Sequence, residues 1–283
     1  MLLSAAAERA VPFFSDQQVS SVHWPMEMVD AECRSLGKSY PGGKLCEGDL
    51  REFVFENGPT QLLFSPTSGR AWARWFFNNV FPIPEDIYSS GAETFLFESA
   101  PFYGKIGRIQ DSLTLYRQHR KNIHKSMSAE EKVGRELRFY KHYSHYLARY
   151  CESRSHSVDM ERWRSKSWWI LHHKLLQDIS DLPNPGLPLV LIDDASLEMG
   201  SFAGRDRFHL MDSEGQCSGA PADDDEAISC LESVRRRGAM YLVLPWVAFW
   251  WRDFYKNFFI YLDRHFMKII DNERCVVYLV DSD

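Results

Sequence analysis

The period of the apolar positions changes several times along the chain, and each change marks an element. Residues 2–14 read as a helix, and Val19 to Val29 alternates as a strand through Val22, Trp24, Met26 and Met28. Lys38 to Gly48, rich in glycine and proline, reads as loop. Asp49 then caps a short helix that runs to Glu56 and is stopped by Asn57-Gly58-Pro59. Ala71 to Val80 predicts an apolar-aromatic helix ending ahead of Pro82 and Pro84, and Gly91 to Tyr103 predicts another, closed by Gly104. Lys105 to Leu115 has the content of one strand or of two short ones.

From Ser128 the period becomes strongly helical. Ser128-Ala129-Glu130-Glu131 is a capping box, and Val133, Leu137, Tyr140, Ser144, Leu147 and Cys151 recur at three-four spacing. A second helix, residues 159–179, carries Trp168, Leu171, Leu175 and Ile179 on one face, and residues 181–186 (Asp-Leu-Pro-Asn-Pro-Gly) form the clearest linker. Beyond it come a strand at Leu187–Ile192, a helix at Asp225–Arg237 ended by Gly238, and a strand at Met240–Leu244. A helix at Phe249–Phe266 and paired strands at Met267–Ile270 and Cys275–Val280 close the chain. Buried-type strands alternating with helices predict a small parallel or mixed sheet. The expectation is therefore an α/β protein in three parts: 1–124, a two-helix connector at 125–186, and a small Rossmann-like α/β domain at 187–283.

Composition narrows the class. With 45% hydrophobic and 25% charged residues, the 283-residue chain can bury two modest cores. Its net charge of -6 gives no overall attraction to nucleic acid, so none is expected as a partner. The six cysteines are scattered without a CxxC pair, which indicates neither a zinc site nor a disulfide framework and suits a reducing cytoplasm. The start has no apolar run of signal-peptide length, and Tyr241 to Leu262 is interrupted by Arg252, Asp253, Lys256 and Asn257, so no transmembrane segment is expected.

Five segments in order carry a resemblance: Pro66-Thr67-Ser68-Gly69-Arg70-Ala71-Trp72, Pro82-Ile83-Pro84-Glu85, Gly91-Ala92-Glu93-Thr94-Phe95-Leu96, Ala100-Pro101-Phe102-Tyr103-Gly104, and Leu115-Tyr116-Arg117-Gln118-His119-Arg120-Lys121-Asn122. Together with Val22-His23-Trp24-Pro25, Val29-Asp30-Ala31 and Gly48-Asp49-Leu50, this stretch resembles the acceptor-side half of bacterial family-2 glycosyltransferases. The resemblance implies a partial glycosyltransferase A-type domain over 1–124. The parent activity it implies is transfer of a sugar from a nucleotide-sugar to a hydroxyl acceptor, glycan or lipid-linked, in cell-surface polysaccharide synthesis. In the family a preceding nucleotide-binding half ends in an Asp-x-Asp motif that holds a divalent metal, Mg or Mn. Here that motif would fall ahead of Met1. The expectation is thus a chain lacking its donor half, without a metal of its own and inactive alone.

The resemblance assigns Glu93 as the catalytic base, a position more often held by Asp, with Glu85, Asp86 and Glu98 the next carboxylates in sequence. It assigns Thr67, Ser68, Gly69 and Arg70 to the acceptor, and Arg117, His119 and Asn122 to the donor phosphates. Each assignment has a plainer alternative. Glu93 also suits a helix start, Thr67-Ser68-Gly69 also suits a cap, and Arg117 to Lys125 also suits a solvated basic strand end. A non-enzymatic module that binds a glycan or a protein therefore stays open beside the enzyme.

Two further patterns stand apart. Arg135, Arg138, His142, His145 and Arg149 form a basic stripe that could rest peripherally on anionic lipid at the inner face of the membrane, or simply face water. Asp223-Asp224-Asp225-Glu226 reads as a helix cap rather than as a metal cluster. Its approach, with Pro245-Trp246, Phe249-Trp250-Trp251 and Asn272-Glu273-Arg274, resembles a C-terminal module that accompanies bacterial glycosyltransferases and surface-polysaccharide proteins.

Overall fold

The computed structural model describes residues 1–118, 129–192, 197, 204–210 and 220–281. The protein is mixed α/β with three small sheets, and its contacts divide it into two units, Met1–Ile170 and Leu171–Asp283.

The first unit is organised by a long strand cut in two. Val19–His23 (β1) and Met26–Val29 (β2) are separated by Trp24-Pro25, because Pro25 has no N–H to give to a ladder. The halves join different sheets. Ser35–Tyr40 (β3) runs antiparallel to β2, where a loop was expected from Lys38. Arg70–Trp72 (β4) runs antiparallel to β1, and Lys105–Arg108 (β5) pairs with β1 in parallel. Thr114–Arg117 (β6) pairs with β2 in parallel, so of the two alternatives for 105–115 the structure takes the pair of short strands, one in each sheet, the second running on to Arg117.

Helices cover these sheets. The opening helix is shorter than expected: Ala6–Ala10 (α1) tightens into a 3-10 turn at Val11–Ser15, where Pro12 sits at the second position. Arg51–Asn57 (α2) begins without a side-chain cap, and Asp49 instead accepts from the Arg51 backbone N–H at 3.2 Å. The apolar run after Thr67 starts as strand, so its helix is confined to Arg74–Val80 (α3). Ala92–Tyr103 (α4) ends at Gly104 as the sequence indicates, and Gly91 enters it with φ 90°. Ala129–Ser153 (α5) buries Val133, Phe139, Tyr140, Tyr143, Leu147 and Cys151 against Phe76, Phe95 and Phe102, so it contributes to the core of this unit.

The helix expected over 159–179 is two helices, Met160–Lys166 (α6) and Trp168–Ser180 (α7), broken at the extended residue Ser167. The hydroxyl of Thr60 receives the Trp168 backbone N–H at 3.3 Å and gives α7 a cap from 108 residues away.

In the second unit a five-stranded sheet has the order β10-β11-β9-β7-β8. Leu189–Leu191 (β7) lies in parallel between Arg207–His209 (β8) and Tyr241–Pro245 (β9), while Met267–Asp271 (β10) and Cys275–Leu279 (β11) add antiparallel. The strand β8 was not expected from the sequence. Asp224–Arg236 (α8) and Lys256–His265 (α10) pack on the sheet, with Trp251–Phe254 (α9) between β9 and α10. Asp223 accepts from Glu226 N–H at 2.9 Å while the Glu226 carboxylate accepts from Ala222 N–H, which is the capping role expected of the acidic run. The 181–186 segment lies within this unit, held by the buried Arg205. Arg205 donates to the carbonyls of Leu182, Pro183, Asn184 and Leu187 at 2.7–3.3 Å.

Cys33, Cys46, Cys151 and Cys275 are free thiols, whereas Cys230 is disulfide-bonded, a departure from the reduced cysteines expected. Among the described residues no helix is long and apolar enough to cross a membrane.

Candidate functional site

The turn Thr67–Gly69 is a single 3-10 turn pinned where β1 gives way to β2. Trp24 donates its backbone N–H to Gly69 O at 2.9 Å. Its indole N–H donates to Thr114 Oγ1 at 2.9 Å, and that hydroxyl donates to Ser68 O at 2.8 Å. Gly69 is required by space: a Cβ there would lie 2.2 Å from Ser65 Oγ and 2.8 Å from Trp24 O. Thr67 and Ser68 remain exposed, so their hydroxyls face solvent.

Arg70 follows, and its side chain turns inward. It is 6% exposed, opposite His23 in the β1–β4 register. Its guanidinium carbon stands 4.7, 4.9 and 4.7 Å from the ring centroids of Phe64, Trp72 and Phe97, a three-ring cage. Nη2 donates to His23 Nδ1 at 3.1 Å, while Nε and Nη1 are buried without a partner. His23 Nε2 lies 2.7 Å from Cys46 O, so Nε2 carries the ring proton and Nδ1 accepts from Arg70 and, at 3.4 Å, from Ser65 N–H. Burial, then the Arg70 charge, lowers the His23 pKa to about 3, which keeps the ring neutral. Burial likewise lowers Arg70 to about 9 and pushes the Cys46 thiol up to about 12, leaving that thiol inert.

The partner helix is α4. Glu93 is exposed in its first turn, where the helix dipole favours a carboxylate. Phe97, one turn further along the same face, touches Arg70, so the fold brings the Glu93 helix face to the strand that follows Thr67–Gly69. Glu98, named in sequence only as a secondary carboxylate, lies beside this cage. Its Oε2 accepts the Thr60 backbone N–H at 2.6 Å. Burial raises its pKa to about 7, opposed by that hydrogen bond, raised further by Glu136, and opposed by Arg70. The signal was present: Glu98 is the one charge in the apolar run from Phe95 to Phe102. The buried role of His23 had no signal, because strand alternation does not tell which face is covered.

Arg117 is not brought to this cage. It is exposed at the far end of β6, about 10 Å along the strand from Thr114, and donates to Cys33 Sγ at 3.0 Å. His119 and Asn122 lie outside the described residues. Of the basic stripe, Arg135 pairs with Glu136 at 2.7 Å and His142 meets Tyr88 OH at 3.1 Å, while Arg138, His145 and Arg149 are exposed.

Among the described residues no group of three or more His, Cys, Asp and Glu is arranged to hold a metal ion. The divalent metal implied by the resemblance therefore finds no fit among them, and no chemical step is derived through it. One cleft, about 630 Å³, opens at the carboxyl ends of β1 and β5, lined by Pro25, Lys44, Leu45, Arg108 and Gln110. A second, about 500 Å³, lies at the opposite end of α4 from Glu93, where α2, α4 and α5 meet.

Against known proteins, the chain is 28% identical over 122 residues to an uncharacterized glycosyltransferase of Nostoc sp. (strain PCC 7120). The matched segment is 43% of this chain and 38% of that protein, so the chain spans about two fifths of the relative it matches. No protein-family model matches the chain, and no solved structure matches it.

Proposed function

We propose that this chain is glycosyltransferase-related, and that residues 1–124 are the acceptor-side part of a family-2, A-type catalytic domain acting on sugar substrates in surface-polysaccharide synthesis. Two things support the reading: the partial similarity to the Nostoc protein, and the meeting of Arg70 with Phe97, which sets the Thr67–Arg70 segment against the helix headed by Glu93. The second is the observation that carries it.

In this reading the exposed Glu93 carboxylate takes the proton of the acceptor hydroxyl as that oxygen attacks the anomeric carbon. The nucleoside diphosphate leaves, and the configuration inverts. Thr67 and Ser68 offer exposed hydroxyls to the acceptor, while Arg70 stiffens the strand behind them from its buried position. Arg117, with His119 and Asn122, meets the donor phosphates. A divalent metal belongs to the donor side of the parent enzyme.

The test is Glu93→Gln in the natural gene product, which keeps the side chain's shape and removes its basicity. Sugar transfer falls about 100-fold while the thermal midpoint holds. Retained turnover would assign the base to another carboxylate, with Glu98 the first to examine.

A further inference from the structure

The cleft at the carboxyl end of α4 has a lining that the transfer reaction does not use. Its wall is aromatic. Tyr103 and Tyr150 stack with centroids 4.1 Å apart, and Phe55 lies 5.8 Å from Phe102 and 4.7 Å from the His156 ring. A left-handed turn at Ser155, φ 61°, returns the chain so that His156 N–H reaches Cys151 O at 3.0 Å and its ring comes back over Phe55.

The rim is polar and balanced. Asp49 and Glu52 supply two carboxylates, Arg51 and Arg154 two guanidinium groups, and Asp49 is ion-paired with Arg51. Arg154 is exposed, its guanidinium carbon 5.1 Å from the Tyr150 ring. Such a rim favours neither an anion nor a cation. It suits a neutral ligand with an apolar face and several hydroxyls, since rings take the C–H face, carboxylates accept from hydroxyls and guanidinium groups donate to them.

We propose that this cleft binds a neutral hexose unit of a glycan, a second carbohydrate site separate from the Thr67–Glu93 region. Ten residues of helix separate Glu93 from Tyr103, about 15 Å, so a sugar held here is anchored away from the proposed base. The choice of ligand class draws on the glycosyltransferase-related reading. The assay contains no nucleotide-sugar, so its failure and the failure of that reading are distinct.

The test is titration of the full chain with maltotriose and with cellotriose, followed by saturation-transfer NMR and calorimetry. The expected result is saturable millimolar binding of at least one of them, weakened about five- to tenfold by Arg154→Ala and by Tyr150→Leu and unchanged by Arg149→Ala. Thermal melts accompany each variant, and Arg154→Ala, at an exposed position, keeps the test decisive if Tyr150→Leu unfolds. No saturable binding of either sugar, binding indifferent to Arg154→Ala, or tighter binding of glucuronic acid than of glucose would each overturn the proposal.

Discussion

Arg70 donates from Nη2 to Nδ1 of His23 at 3.1 Å, and this neutral ring is the hydrogen-bonding partner its buried guanidinium has among the described residues. The other deeply buried arginine, Arg205, is the opposite case, with four backbone carbonyls accepting from it. A buried cation costs desolvation that only partners return. The two arginines therefore make opposite contributions to their units.

Replacing Arg70 by methionine should leave the thermal midpoint unchanged or raise it. The three rings around it accept an apolar chain of similar length, and the unmet Nε and Nη1 donors disappear. The His23 pKa should rise from about 3, because the Arg70 charge no longer opposes protonation. Calorimetry and imidazole NMR read these; a midpoint several degrees lower would refute the account.

Arg205→Met should destabilise the second unit by about 3 kcal/mol, since carbonyls at Leu182 and Leu187 lose their donor while Asn184 O keeps only the Leu187 N–H at 3.3 Å. Pro183 O keeps the Tyr241 hydroxyl at 2.7 Å, which limits the loss. Denaturant unfolding followed by a probe in this unit measures it.

Glu98 and His23 oppose each other in pH. Glu98 has a folded pKa raised to about 7, so its contribution is full below the unfolded carboxylate value and is lost as pH rises through 7. His23 has a folded pKa lowered to about 3, so its contribution is full above about 6.5 and is lost as pH falls towards 3. Their slopes partly cancel between about pH 4.5 and 6.5. In Glu98→Gln the opposing slope of Glu98 is removed while the other shifted groups are kept, and the thermal midpoint should climb more steeply with pH across that window than in the wild type. Parallel curves would remove Glu98 from the explanation.

Gly69→Ala should cost about 2 kcal/mol, because the new methyl meets Ser65 Oγ and the Trp24 carbonyl, and the latter is backbone pinned between β1 and β2. Gly42→Ala meets nothing within 4 Å and serves as the control with no loss. Chemical denaturation midpoints separate the two.

What the sequence determined by itself is what local rules decide. The three-four spacing of α5, the stop of α4 at Gly104 and the capping of α8 by its acidic run depend on neighbours a few residues apart, and all were legible. The tertiary structure decided whatever depends on distant partners. Thr60 caps Trp168 where the 159–179 helix breaks, the parallel partner β7 makes a strand of Arg207–His209, and β4 and β3 draw into different sheets the two halves of the strand that Pro25 interrupts. The same holds for the candidate site. Thr67, Ser68 and Glu93 stood out as residue types in a motif, but which side chain faces solvent is a property of the cover laid over it. Arg70, expected to reach the acceptor, is enclosed by Phe64, Trp72 and Phe97, and Glu98 owes its raised pKa to burial that no spacing in its own helix encodes.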